Sequence, residues 1–533
     1  MTLVTNGEIH DNAGTDIDAG ANTVTADGTV APGQSPGILA IAGNFMFADN
    51  STFEVEIGGT SPGTASTDHD QVDATGSVSI GTGVTLDLVD FNGFGATITG
   101  GESFKIINRT GGTGTFNGLA EGATISNFLG SGLDATITYA GGDGNDVVID
   151  IIATTVTVVG GDLIIDDATG NADNQITVVI DGANYRISDA GARLAAGAGA
   201  TADGDDILIP IASVTGSIQV ITQGGNDTLE VDFSGGNPIP AGGLTFDGGM
   251  DSGGGDELII SGNATPFSSQ TFNYDNTVPA DGFGGNVVLD DGLATRTITY
   301  TGLEPVTGGT SVNTTINLPT AVANDATLQN NATSGFIEII DNGATFEDTT
   351  FPNPTGSLTV NLGDNGDSLA INVLDPGFAA TLTINGGSGD DTFAFNDGVA
   401  LDFSINGGAQ STADTVTFAA STSGVSVDVS RLTGIEALVG SGNSDTLVGT
   451  SGDDIFDVTA ANSGTINTST AFASFENLTG AGGNDQFLFE EASSRIDGNV
   501  DGQAGTDTLS YADNPGGFAN ITLNGIGTSG YGG

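Results

Sequence analysis

Cysteine and tryptophan are absent from this chain, and lysine and arginine together number 7 in 533 residues. Each scarcity closes off a class of explanation. Without cysteine there is no disulfide framework, no thiolate nucleophile and no zinc–thiolate site. Against the 7 basic residues stand 67 acidic ones, a formal charge of −60 at pH 7. Such a chain repels phosphate backbones and anionic headgroups, so nucleic acid and an anionic membrane surface are poor partners. It also resists compaction unless cations screen it, so bound metal or high salt is implied, beside the plainer reading of an acidic solvated surface. No apolar run approaches the roughly 18 residues of a membrane span. The opening residues, MTLVTNGEIHDNAG, show no basic region followed by an apolar one, so no secretory signal is visible.

What is present points to strands. Gly accounts for 87 residues, but without the three-residue period of collagen. Helical periodicity is nearly missing. Alternating runs recur instead: STFEVEIGG at 51–59, VTLDLVDF at 84–91, SLTVNLG at 357–363 and VSVDVS at 425–430. Gly, Asn and Asp punctuate them, the pattern of an all-β chain with tight turns. Internal repeats narrow the choice among sandwich, barrel and solenoid. SIQVITQGGNDTL at 217–229 returns as SLTVNLGDNGDSL at 357–369, and IEALVGSGNSD at 435–445 as FENLTGAGGND at 475–485. The second pair sets a Glu nine residues before an Asp, Glu436 to Asp445 and Glu476 to Asp485. Asp367, Asp391 and Asp414 fall 24 and 23 residues apart, the length of one coil of a parallel β-solenoid whose open strand edge the next coil covers.

Four regions are expected: 1–153, 154–310 and 311–430 as two diverged copies of a larger module, and 431–533 with the shorter repeats. The stretch TGGTSVNTTINLPTAVAND, 307–325, reads as a linker. The final repeat stops at Gly533 without the Glu that its earlier copy carries, so a partner strand or further chain is expected to complete it near 508–530.

The turns carry the chemistry. GGSGDDTFAF (386–395), GGDGNDVVI (141–149), GGNDTLEV (224–231), GSGNSDTLV (440–448) and GTSGDDIFD (449–457) each join glycines and an Asp to an alternating strand. Glycine permits positive φ and close backbone approach, and Asp beside it suits a turn. Stacking would bring successive carboxylates and turn carbonyls together, an oxygen-rich setting suited to Ca²⁺. By position the candidate ligands are Asp146, Asp227, Asp367, Asp390, Asp391, Asp445, Asp453, Asp454, Asp485 and Asp507. The alternative is that each motif is simply a good turn between strands.

These nonapeptides resemble the G-G-x-G-x-D-x-U-x calcium-binding repeats of RTX, or haemolysin-type, proteins. That resemblance implies Ca²⁺ ligation by Asp391, Asp445 and Asp454, with Asp146 a further candidate, and inward-pointing Phe393, Leu447 and Phe456. Only 440–448 and 449–457 stand in direct tandem, however, so a full run of family-type sites is absent. Separately, GTVAPGQSPGILAIAGNFMFADNSTFEVEIGG at 28–59, followed by DHDQVDATGSVSIGTGVTLDLVD, GESFKIINRTGGTGTFNGL and GGDGNDVVI, is similar to autotransporter-type passenger β-helices of bacterial surfaces. The implied fold is an elongated, right-handed parallel β-helix or β-solenoid with RTX-like β-roll turns.

Catalytic signals are thin. No HExxH or P-loop pattern occurs. Of the two histidines, His10 and His69, the second lies between Asp68 and Asp70, where packing is the stronger expectation than acid–base work. A polysaccharide-acting β-helix would need basic residues beside carboxylates, and only Arg186 and Arg193 lie close in sequence. The expectation is a non-enzymatic, calcium-stabilised structural or adhesive protein, secreted or on the bacterial cell surface. Its expected partners are copies of itself in a filament, sheath or surface layer, neighbouring segments of a larger chain, or a surface glycan.

Overall fold

The computed structural model describes residues 2–4, 17–33, 36–63, 65–98, 102–131, 133–142, 144–151, 154–167, 173–191, 194–251, 255–276, 282–396 and 403–511. It is all-β, 53% strand and 3% helix, with several parallel sheets, as the alternating runs lead one to expect. Contacts divide it into two compact units, Met1–Thr228 and Leu229–Gly533. His10, Arg193 and the last repeat beyond Tyr511 lie outside the described residues.

In the first unit, Ile17–Asp27 and Ile38–Phe47 pair in parallel, and the second strand goes on to pair with Gln71–Ala74 and Val78–Ile80. A second parallel set joins Thr29–Val30, Thr52–Ile57 and Thr85–Asp90. In Thr52–Ile57 every second residue, Phe53, Val55 and Ile57, is buried. Phe45, Phe47, Phe53 and Phe116 form a run of ring contacts, with centroids 4.9 to 6.4 Å apart. Ser103–Asn108 pairs in parallel with Gln71–Ala74 and antiparallel with Asp146–Ile151, which Ala135–Gly141 flanks on its other side and all six residues of which are buried. Two hairpins follow, Thr154–Val159 with Asp162–Asp167 and Gln175–Asp181 with Asn184–Asp189.

The second unit contains two long parallel ladders. One runs through Phe267–Asp275, Ser311–Asn317, Ser357–Asp364, Thr381–Ser388 and Phe403–Ala409. The other runs through Asp325–Asn330, Ser368–Ile371, Thr392–Phe395, Thr415–Thr417, Ala437–Val439 and Thr470–Ala473. The chain visits them alternately, so Leu358, Leu382 and Phe403 align on one ladder and Leu369, Phe393 and Val416 on the other. These apolar positions are buried, and each contributes roughly 1.5–3 kcal/mol by leaving water. Leu447 and Phe456, inward by their motif position, are also fully buried.

Two differences from the sequence reading have clear causes. Residues 307–325 are not a linker: Ser311–Asn317 is a ladder strand paired on both sides. Its Thr-Ile-Asn run, 315–317, repeats the Thr-Ile-Asn of 383–385, with the isoleucine inward and its neighbours outward. Antiparallel hairpins also interrupt the parallel stacking, as Phe336–Asp341 with Thr349–Pro352 does. Ser357 therefore pairs with Asn313, 44 residues back, whereas Thr381 pairs with Ser357, 24 back.

Candidate metal centre: the turn carboxylates

Along the ladders of the second unit, successive described strands are entered through an acidic or amide residue whose side chain turns inward. Asn324 donates its backbone N–H to Asp367 Oδ1 at 2.7 Å, and Asp367 donates its own to Asp391 Oδ1 at 2.8 Å. Asp391 N–H then goes to Asp414 Oδ1 at 2.8 Å, and Asp414 N–H to Glu436 Oε2 at 3.0 Å. The scheme recurs downstream. Asp445 N–H reaches Glu476 Oε2 at 2.9 Å, Asp454 N–H reaches Asp485 Oδ1 at 2.9 Å, and Asp485 N–H reaches Asp507 Oδ1 at 3.1 Å. Each carboxylate thus satisfies a backbone donor of the preceding coil, which would otherwise be buried unpaired.

The other oxygen divides the turns into two kinds. In Asp367, Asp391, Asp414 and Asp485, between 0 and 2% exposed, Oδ2 is buried without a hydrogen-bond partner. Asp445 and Asp454 are as deeply buried, yet their Oδ2 accepts from Ser441 N–H at 2.5 Å and Thr450 N–H at 2.6 Å, and the Ser441 and Thr450 hydroxyls also donate to these carboxylates. The hydroxyl residue follows the first glycine of its motif. The corresponding residue is Gly387 before Asp391, Gly408 before Asp414 and Ala481 before Asp485, none of which has a hydroxyl.

The first glycine itself is required by space. A Cβ on Gly386 would collide with Asp391 Oδ2 and with the carbonyl of Gly407 in the next coil. A Cβ on Gly480 would meet Asp485 Oδ2 and the Gly502 carbonyl in the same way. Carboxylate oxygen and next-coil carbonyl therefore crowd one spot, and two acceptors cannot satisfy each other. Burial pushes Asp367 up to about 7, and it raises Asp391, Asp414 and Asp485 above the usual carboxylate range, with the neighbouring acids adding repulsion.

The remaining candidates are placed differently. Asp390 and Asp453 are exposed. Asp390 accepts from Ser411 and Thr412 N–H, which hold it down at about 2, and Asp453 accepts from Asn484 N–H at 2.6 Å. Asp227 accepts Asn174 N–H at 2.7 Å, and Asp507 is half-buried. Asp146 accepts Arg109 N–H at 2.9 Å, and its second oxygen meets the Lys105 ammonium at 2.8 Å, so a protein cation already occupies that side. Asp414, Glu436 and Glu476 complete the ladder although they were not among the candidate ligands. The nine-residue Glu–Asp spacing was the signal for the two glutamates.

Among the described residues, no group of three or more Asp, Glu or His side chains converges as a metal site would. Ca²⁺ also accepts backbone carbonyls, and the crowded carboxylate–carbonyl pairs provide both ligand kinds. In the first unit, His69 is fully buried, edge-on to Phe104, with its ring nitrogens 3.0 Å from Gly59 O and 3.2 Å from Lys105 O. It is a packed residue, and burial lowers its pKa. No protein-family model matches this chain, and no curated protein shows significant similarity to it.

Proposed function

We propose that this chain is a non-enzymatic, calcium-stabilised β-solenoid with a structural or adhesive role on a bacterial surface. The observation that carries the reading is the row of buried Asp367, Asp391 and Asp414, each with one oxygen lacking a donor. A row of like charges in a low-dielectric interior is costly unless a proton or a cation neutralises it. Asp367, Asp391, Asp414 and Asp485 would hold the cation, together with turn carbonyls such as that of Gly407. Bound Ca²⁺ would supply the positive charge these oxygens lack. The net charge of −60 favours the same partner, and the RTX-like motifs agree with it. The surface location rests on the two family resemblances.

The test is thermal unfolding and calorimetric titration at pH 7.5, with Ca²⁺ and with chelator. Calcium that binds only the folded state raises the melting temperature by mass action. Asp391→Asn with Asp414→Asn should remove most of that rise. Identical melting with calcium and with chelator would leave the motifs as turns alone.

A further inference from the structure

The outer face of the first ladder of the second unit has an unusual composition for so acidic a chain. Its strands present two outward rows to solvent. One row is Thr271, Thr315, Thr359, Thr383 and Ser404, in register from strand to strand. The other is Asn273, Asn317, Asn361, Asn385 and Asn406. A third, shorter row of Ser269, Asn313, Ser357 and Thr381 lies beside them. Acidic residues number 67 in 533, yet none stands in these rows, nor does any basic residue.

The asparagines are fixed in place. Asn385 Nδ2 donates to Asn361 Oδ1 at 2.7 Å, Asn361 to Asn317 at 2.6 Å, and Asn317 to Asn273 at 2.6 Å. Asn273 then donates to Asn286 at 2.8 Å, on the adjoining antiparallel strand Phe283–Asp290. All four bonds point one way. Asn273, Asn317 and Asn361 each use one N–H and one lone pair in these bonds, which leaves the other N–H and lone pair for an outside partner. The rungs repeat at roughly 4.8 Å, and the two rows lie about 7 Å apart on each strand. A ligand meeting this lattice pays little side-chain entropy, because the row has already ordered the amides.

The second ladder is less uniform. Its outward positions carry one hydroxyl row, Ser368, Thr392 and Thr415, and beside it Ala370, Ala394 and Thr417. These separate the hydroxyls from a short amide run in which Asn396 donates to Asn372 and Asn372 to Gln329, each at 2.9 Å.

We propose that the Thr–Asn face between Phe267 and Ala409 is a contact surface for an insoluble, uncharged polysaccharide, whose repeating hydroxyls meet the fixed hydroxyl–amide lattice. This rests on the adhesive reading above and gives that reading a site. Charge selects the partner. An anionic polymer is repelled by the molecule as a whole, and a second copy of the chain brings its own −60. A cationic partner would settle on the carboxylates elsewhere rather than on rows that lack them. A rigid array suits a rigid repeating surface, since it cannot close around a single flexible chain.

The experiment uses the full chain, mixed with crystalline cellulose and with chitin as neutral probes and with alginate gel as the anionic one. Bound protein is measured after sedimentation. Retention on at least one neutral probe and none on alginate is expected. Combining Thr315→Val, Thr359→Val and Thr383→Val keeps shape and strand preference and removes three hydroxyls. Retention should fall about tenfold or more. Thr392→Val with Thr415→Val, on the other ladder, should leave it unchanged. Melting curves establish that all variants fold. Absence of retention on both neutral probes, equal retention by both variants, or shaping of ice crystals by the Thr row without polysaccharide retention would overturn the assignment. Because retention is read separately from calcium-dependent melting, a protein that ignores calcium yet binds chitin refutes only the metal proposal, and the converse refutes only this one.

Discussion

The turns around Asp391 and Asp414 and those around Asp445 and Asp454 all fold a buried Asp behind a first glycine, and they differ in the residue that follows that glycine. After the first glycine comes Gly387 or Gly408 in one pair, and Ser441 or Thr450 in the other. The hydroxyl turns satisfy their carboxylates from within, four residues away. The glycine turns leave one oxygen unsatisfied. The same buried Asp is thus a closed structural joint in one place and an open ligand in another. The tandem nonapeptides at 440–457 hold the better-satisfied carboxylates. The isolated motif at 386–394 holds the more available one.

The largest expected effect tests what the two kinds of turn share. Gly386→Ala and Gly449→Ala both drive a Cβ into a carboxylate and a next-coil carbonyl, and should each cost about 3 kcal/mol in urea unfolding. Gly442, with nothing within 4 Å of an added Cβ, should tolerate alanine nearly unchanged. If Gly386→Ala matched Gly442→Ala, the crowding would not exist in solution.

The next effect should differ in sign between the turns. In chelator at pH 8, Asp391→Asn removes a desolvated charge and offers an amide N–H toward the Gly407 carbonyl, while Oδ1 goes on accepting from Asp367. It should stabilise by about 1 kcal/mol. Asp454→Asn should destabilise by about 1–3 kcal/mol, because both Asp454 oxygens accept hydrogen bonds, from Thr450 and from Asn467 Nδ2 at 2.6 Å. Like signs in chemical denaturation would erase the distinction.

Acidity should separate the regions further. Burial raises the carboxyls of Asp367, Asp391 and Asp414 in the folded state, so the folded chain holds their protons more tightly than the unfolded one. Their contribution is fully present below the ordinary value of 3.8 and is lost as pH rises through each raised folded-state value, about 7 for Asp367. Without calcium, hydrogen exchange in 363–391 should therefore accelerate between pH 4 and 7, after correction for intrinsic rates, and calcium should suppress the change. Exposed Asp390, held at about 2, acts in the opposite sense, and its contribution disappears only as pH falls toward that value. The smallest effect comes from the hydroxyl. Ser441→Ala removes the hydroxyl donor to Asp445 but keeps the backbone N–H of residue 441, and should cost about 1 kcal/mol in urea unfolding. Unchanged stability would show that the hydroxyl does not help to close the turn.

The offset of 24 and 23 residues between paired strands was legible in the spacing of Asp367, Asp391 and Asp414, because one residue type recurs wherever the chain makes the same corner. The inward positions were legible from alternation. What stayed hidden depends on residues far apart in sequence. Nothing local in GGDGND announces that Lys105, 41 residues earlier, will neutralise Asp146. The Asn row needed the register of strands 24 to 44 residues apart. The segment at 307–325 misled because its glycines and polar residues resemble a linker, whereas an outward Thr–Asn pair is polar by position. The Ser441 and Thr450 signal was present in the sequence, but it acquires meaning only once the carboxylate is known to fold back over its own turn.

The ladder also imposes an order in time. A backbone N–H at each corner is received by a side chain made 22 to 43 residues later, as Asp414 waits for Glu436 and Asn324 for Asp367. A chain emerging from its N-terminus therefore carries an unfinished corner at its growing front, and two while Asp445 awaits Glu476 and Asp454 awaits Asp485. Each arriving side chain closes an earlier corner. Interruption within this stretch leaves one or two unmet donors rather than a collapsed stack.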